Sequence, residues 1–160
     1  MKRVLTLICV LLAIGLYPAK YLVIVDEAGQ TVFRARVVTN EQVVIKYIHS
    51  VERTPWHHYY RIGADNRLHL THMRFKSFGA GVPHYSPVVR HVGGWIEYSG
   101  LDQRFENLTW HVRADLDHYL TWRGADFRLG TLVRRGNSAR MFVAYRPIIL
   151  LLMPMVGGFE

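Results

Sequence analysis

The chain has 160 residues and is 50% hydrophobic and 20% charged, a balance that fits one globular domain with a substantial core and excludes both a disordered chain and a polytopic membrane protein. Its formal net charge of +8 raises nucleic acid as a partner, but the basic residues are scattered: beyond Lys2-Arg3 only Arg134-Arg135 are adjacent. With no basic helix and no aromatic RNA-binding signature, nucleic acid is set aside, and the charge is assigned to anionic headgroups or an acidic protein surface.

Cys9 is the single cysteine and lies in the apolar N-terminal run, so the folded part has no disulfide framework, no thiolate zinc site and no cysteine nucleophile. Lys2-Arg3 followed by Val4–Tyr17 has a positive n-region and an apolar stretch of secretory length, short for a full membrane span. This predicts export. Tyr17-Pro18-Ala19 lacks the small residue that a signal peptidase prefers two positions before Ala19. Residues 1–19 therefore read as a signal peptide or an uncleaved anchor, with retention favoured.

From Lys20 onward the chain reads as short strands. Tyr21–Val25, the turn Asp26–Gln30 and Thr31–Val38 form a hairpin; Val43–Val51 is the central strand, and Trp56–Ile62 resumes after Pro55. Gly63–Asn66 turns the chain into Leu68–Phe75, in which Leu68, Leu70, His72 and Arg74 alternate with His69, Thr71, Met73 and Phe75. Val82–Gly94 is irregular and is expected to cover one end of the sheet. Strands follow at Trp95–Tyr98, Phe105–Val112, Tyr119–Arg123, Phe127–Val133 and Ala139–Arg146, with a turn at Arg135–Ser138. The expected fold is all-β: a small antiparallel β-sandwich or partly open barrel of about eight short strands, spanning residues 20–146. Residues 147–160 are an apolar tail, either a last core element or a membrane-dipping or partner-docking end.

Two stretches concentrate the chemistry. The first, Tyr47-Ile48-His49-Ser50-Val51-Glu52-Arg53-Thr54-Pro55-Trp56, ends a strand on ionisable and hydroxyl groups before a proline. The second, Phe75-Lys76-Ser77-Phe78-Gly79-Ala80-Gly81-Val82-Pro83, is a glycine loop able to present backbone amides; it lacks the Gly-Lys-Ser/Thr ending and following helix of a nucleotide phosphate loop.

Enzymatic readings find little support in the spacing. His57 and His58 point to opposite faces of a strand, as do His69 and His72, and no helix pairs histidines four apart around a glutamate. A metal set of His49, His57 and Glu52, or a Ser77–His49–Glu52 hydrolase, would have to be assembled from distant positions that nothing in the spacing demands. Ser50 beside His49 is no dyad on a strand, and Asp115 and Asp117 lack cleft signals. The nine histidines could sense periplasmic pH, but ordinary half-buried strand positions account for them more simply. No catalytic residue, metal or cofactor is assigned.

The pairing of Tyr47–Pro55 with Phe75–Pro83 after a short apolar N-terminus resembles a small uncharacterised bacterial family classed only as a domain of unknown function. Its members are commonly encoded beside TAXI-type TRAP transporters, secondary transporters that use a periplasmic substrate-binding protein. The resemblance is dense from about Tyr21 to Pro83 and thin beyond. It implies a non-enzymatic auxiliary protein, anchored at the periplasmic side of the inner membrane, whose partners are the TRAP membrane subunits or the TAXI-type binding protein. The expected contact patch is His49, Ser50, Glu52, Arg53, Thr54 and Trp56, with Lys76, Ser77, Gly79 and Gly81 beside it. Glu52 and Arg53 would make charge-assisted contacts, Trp56 would be an amphipathic anchor and the glycine loop would donate amides. The alternative is a binding module for a small anionic ligand, with Arg53, Lys76 and Ser77 around a carboxylate.

Overall fold

The computed structural model describes residues 2–4, 6–7, 15–112, 117–133 and 138–147. The apolar run read as leader or anchor falls in part outside these residues, at 5 and 8–14, and the apolar tail beyond Pro147, Asp115 and residues 135–137 of the expected turn lie outside them. Among the described residues no helix is long and apolar enough to cross a membrane.

Eleven strands are described: β1 (Pro18–Asp26), β2 (Thr31–Val37), β3 (Gln42–Ile48), β4 (Pro55–Ile62), β5 (Leu68–Phe75), β6 (Val88–Val92), β7 (Trp95–Phe105), β8 (Asn107–His111), β9 (Tyr119–Trp122), β10 (Ala125–Arg128) and β11 (Ser138–Pro147). They form two antiparallel sheets, one of four strands in the order β2-β1-β11-β8 and one of seven in the order β10-β9-β3-β4-β5-β7-β6. The fold is all-β and sandwich-like, and among the described residues neither sheet closes into a barrel. The chain passes from the larger sheet to the smaller at Glu106, where Phe105 still pairs with Leu68 and Asn107 already pairs with Phe142.

The core lies between the sheets. Leu22 and Ile24 of β1 and Met141 of β11 meet Ile45, Trp56, Ile62, Met73, Phe75 and Leu120 of the larger sheet. The continuous apolar run of β1 is explained by burial on both faces: Tyr21, Val23 and Val25 join Ala19 and Ala144 in a second cluster. The β1–β2 hairpin forms as expected, and its turn is closed by Asp26, whose carboxylate accepts from the Gln30 amide at 2.8 Å.

Several elements depart from the sequence reading. The central strand ends at Ile48, three residues early, because the chain folds back on itself after His49. The alternation expected in β5 breaks at Thr71, which has no partner on β4: Tyr59 pairs with His72 and Tyr60 with Leu70. One extra residue inverts the pleat, so Leu68 and Leu70 share the core with Met73 and Phe75 instead of with His72 and Arg74. The irregular segment contains β6, an edge strand. The expected strand at Trp95–Tyr98 runs on to Phe105, and Phe127–Val133 is two residues of β10 followed by a helical turn at Leu129–Leu132.

Candidate functional site

The two motif stretches meet at one end of the larger sheet because the register requires it. Ile48 pairs with Pro55 and Trp56 with Phe75, so the β3–β4 and β5–β6 connections leave the sheet side by side. The first connection is closed by His49 N–H donating to Thr54 O and Arg53 N–H donating to His49 O, both at 2.9 Å. Arg53 adopts a left-handed φ of 53° to complete the turn. In the second, Val82 N–H reaches Gly79 O at 3.4 Å, and Gly81 supplies the φ of 96° that favours glycine.

His49 fastens one connection to the other. Its Nδ1 accepts the Glu52 backbone N–H at 3.1 Å, which leaves Nε2 to donate to Ala80 O, also at 3.1 Å. The buried ring stacks on Trp56, with centroids 4.5 Å apart. Thr54 and Ser77 hydroxyls share a second bond of 2.8 Å. Gly79 lies so close that a Cβ there would stand 2.8 Å from Glu52 Cγ and 3.3 Å from His49 Cε1. Five of the ten expected patch residues, His49, Glu52, Thr54, Ser77 and Gly79, are thus contact partners of each other.

The remaining five divide. Trp56 is fully buried, packed against His49 and Phe75, so the amphipathic anchor expected there is a core residue instead. Ser50, Arg53, Lys76 and Gly81 are exposed. The Lys76 ammonium lies over the Trp95 ring at 5.3 Å, a ring that Arg74 approaches at 5.0 Å. Beside these cations the same connections expose Val51 (75%) and Phe78 (58%), two large apolar side chains outside the expected patch. The His49–His57–Glu52 metal set is not assembled: His57 packs against Trp95 on the outer face of β4, while His49 packs on Trp56 beneath the clasp.

A second feature lies deeper, where β3 and β4 face β8. A cavity of about 250 Å³ is walled on one side by Ile45, Tyr47, His58 and Tyr60 and on the other by Leu108 and Trp110. Tyr47 Oη stands 3.2 Å from His58 Nε2, and Tyr60 Oη 3.4 Å from His58 Nδ1. His118 also lines the cavity and stacks on Tyr47, 5.5 Å between centroids at an 11° tilt. Burial lowers the His58 pKa to about 4, helped by His57 and His49, and burial raises both tyrosines well above their ordinary value. At neutral pH the cluster carries three uncharged rings. The sequence reading separated His57 from His58 without following the inward face of β4; the alternation Trp56, His58, Tyr60, Ile62, with Tyr47 on the paired strand, was the signal available.

A family model described as a domain of unknown function, DUF1850, matches residues 43–129. No curated protein and no solved structure matches the chain.

Proposed function

The chain belongs to the DUF1850 family, and we propose that it is a non-enzymatic accessory protein at the periplasmic side of the inner membrane, docking on a TAXI-type TRAP transporter through the fastened connections. What supports this reading is the contrast between the two sets of motif residues. His49, Glu52, Thr54, Ser77 and Gly79 bond and pack with one another. That leaves Val51, Phe78, Arg53 and Lys76 outermost on a rim whose shape is already set. An aromatic and an aliphatic side chain flanked by cations, on loops that lose little freedom on association, suit an acidic partner surface. The partner's identity comes from the resemblance alone. The carboxylate alternative finds less in the geometry, since the Ser77 hydroxyl is bonded to Thr54 and Lys76 lies over Trp95.

The test is a mild-detergent pull-down of the tagged full-length chain from native membranes, read by mass spectrometry. TRAP membrane subunits or the TAXI-type binding protein are expected with the wild type and with Val38→Asp, an exposed site at the opposite end of β3. The pair Val51→Asp/Phe78→Asp is expected to lose them. Recovery of the bait without those subunits, or their retention by the double variant, would overturn the proposal.

A further inference from the structure

We infer that the inter-sheet cavity bounded by Tyr47, His58, Tyr60, Leu108 and Trp110 is a binding site for a small uncharged ring compound that carries a carbonyl-type hydrogen-bond acceptor. This site is separate from the docking rim and does not depend on that reading.

Counting protons gives the polarity of the ligand. Two phenols and one neutral imidazole hold three hydrogen-bonding protons, and the Tyr47–His58 and His58–Tyr60 contacts use two of them. Whichever tautomer His58 adopts, one phenol O–H remains. On the facing wall the Trp110 Nε1–H is buried and has no acceptor among the described residues. The cavity lining therefore holds two donors with no acceptor among the described residues, a phenol O–H and the Trp110 Nε1–H. Among the described residues no lysine, arginine, aspartate or glutamate lines it, and its ionisable lining is Tyr47, His58, Tyr60 and His118. Against the uncharged rings of Tyr47, His58 and Tyr60 a carboxylate or ammonium would lose its hydration without a counter-charge, whereas a ketone, ester or amide oxygen can accept from the remaining phenol O–H and from Trp110 Nε1–H.

Size and access narrow the class further. An apolar cavity of about 150 Å³ accommodates benzene, so about 250 Å³ accommodates a fused bicycle with a short substituent. The lining includes exposed Thr109, so the cavity reaches the surface and a ligand has a way in. The aromatic lining of Tyr47, His58, Tyr60 and Trp110 favours an aromatic or flat alicyclic body.

The test uses the full-length chain in mild detergent, labelled with 5-fluorotryptophan and observed by fluorine NMR. The four tryptophans give four resonances, Trp110 being assigned by Trp110→Phe. The probes are 1-indanone and 1-methylindane, matched in size and differing in the acceptor oxygen. 1-Indanone is expected to shift the Trp110 resonance saturably while Trp95 and Trp122 stay in place, and 1-methylindane to bind about tenfold more weakly, the factor for one net hydrogen bond. Leu108→Trp, which fills the space, should abolish the shift. If that variant fails to fold, Tyr47→Phe/Tyr60→Phe serves instead. With His58→Phe added to remove the ring N–H that the lost phenols would free, it takes away every donor of the ring cluster and leaves only Trp110 Nε1–H, and it should weaken 1-indanone binding while leaving 1-methylindane unchanged. No saturable shift at Trp110, equal affinity for the two probes, or parallel movement of all the resonances would overturn the inference.

Discussion

If His49 fastens the two connections, His49→Phe should loosen them in proportion to the bonds it removes. The substitution keeps an aromatic ring against Trp56 but deletes the acceptor for Glu52 N–H and the donor to Ala80 O. A net protein hydrogen bond is worth about 1 kcal/mol, and a partner left without water or replacement adds about 1 kcal/mol more. Ala80 is exposed and its carbonyl can be hydrated; the half-buried Glu52 amide is less able to recover. The expected loss is therefore about 2–3 kcal/mol.

For a domain of this size each kcal/mol shifts the melting temperature by about 2–4 °C, giving a fall of roughly 4–12 °C. Circular dichroism melts of the full-length chain in mild detergent would measure it, with exposed Ser50→Ala as a control expected within about 0.5 kcal/mol of wild type. A His49→Phe melt within about 1 °C of wild type would refute the fastening role, and with it the claim that the rim's shape is set before any partner arrives.

Gly79→Ala should cost about 1–3 kcal/mol through the clash with Glu52 Cγ, and Glu52→Ala in the same chain should relieve most of it. Gly81→Ala should cost about 1–2 kcal/mol through its positive φ, with no relief from Glu52→Ala, as the same melts would show. Trp56→Ala empties a fully buried site and should cost about 3–5 kcal/mol by denaturant titration. His58 has a folded pKa near 4 against an ordinary 6.5, so the unfolded chain binds its proton first. Stability should fall as pH drops from about 6.5 to 4, by up to about 3 kcal/mol from this group, and His58→Phe should flatten that part of the profile.

The sheet-forming elements were largely legible because alternation, β-branched residues and turn chemistry agree locally. The β1–β2 hairpin and both ends of β5 are examples. What was not legible depends on pairing at a distance. The Thr71 bulge shows only when β4 is laid against β5, and it decides whether Met73 or His72 enters the core. The length of β7 follows from pairing with β5 and β6 on its two sides, and Val88–Val92 becomes a strand because β7 is there to pair with it. The motif residues were found, but their roles were partly inverted. Polar residues gathered at a strand end suggest an outward patch; instead the register places the two connections side by side, and His49, Thr54 and Ser77 satisfy one another.

Rim and cavity are parts of one aromatic assembly. Trp56 packs on His49 at 4.5 Å, Phe75 at 5.2 Å, His58 at 6.1 Å and Tyr47 at 6.3 Å, so one fully buried indole supports the clasp on one side and the cavity wall on the other. Close-packed interiors transmit displacement because no side chain can yield without moving its neighbour. The family match reflects the same unit: residues 43–129 take in all seven strands of the larger sheet, both connections and every residue lining the cavity. Left outside are β1, β2 and β11, whose part is to bury that sheet's inner face. The matched portion of the chain is therefore the portion that builds both features, and β1, β2 and β11 contribute Leu22, Ile24, Val37 and Met141 to the core that holds Trp56.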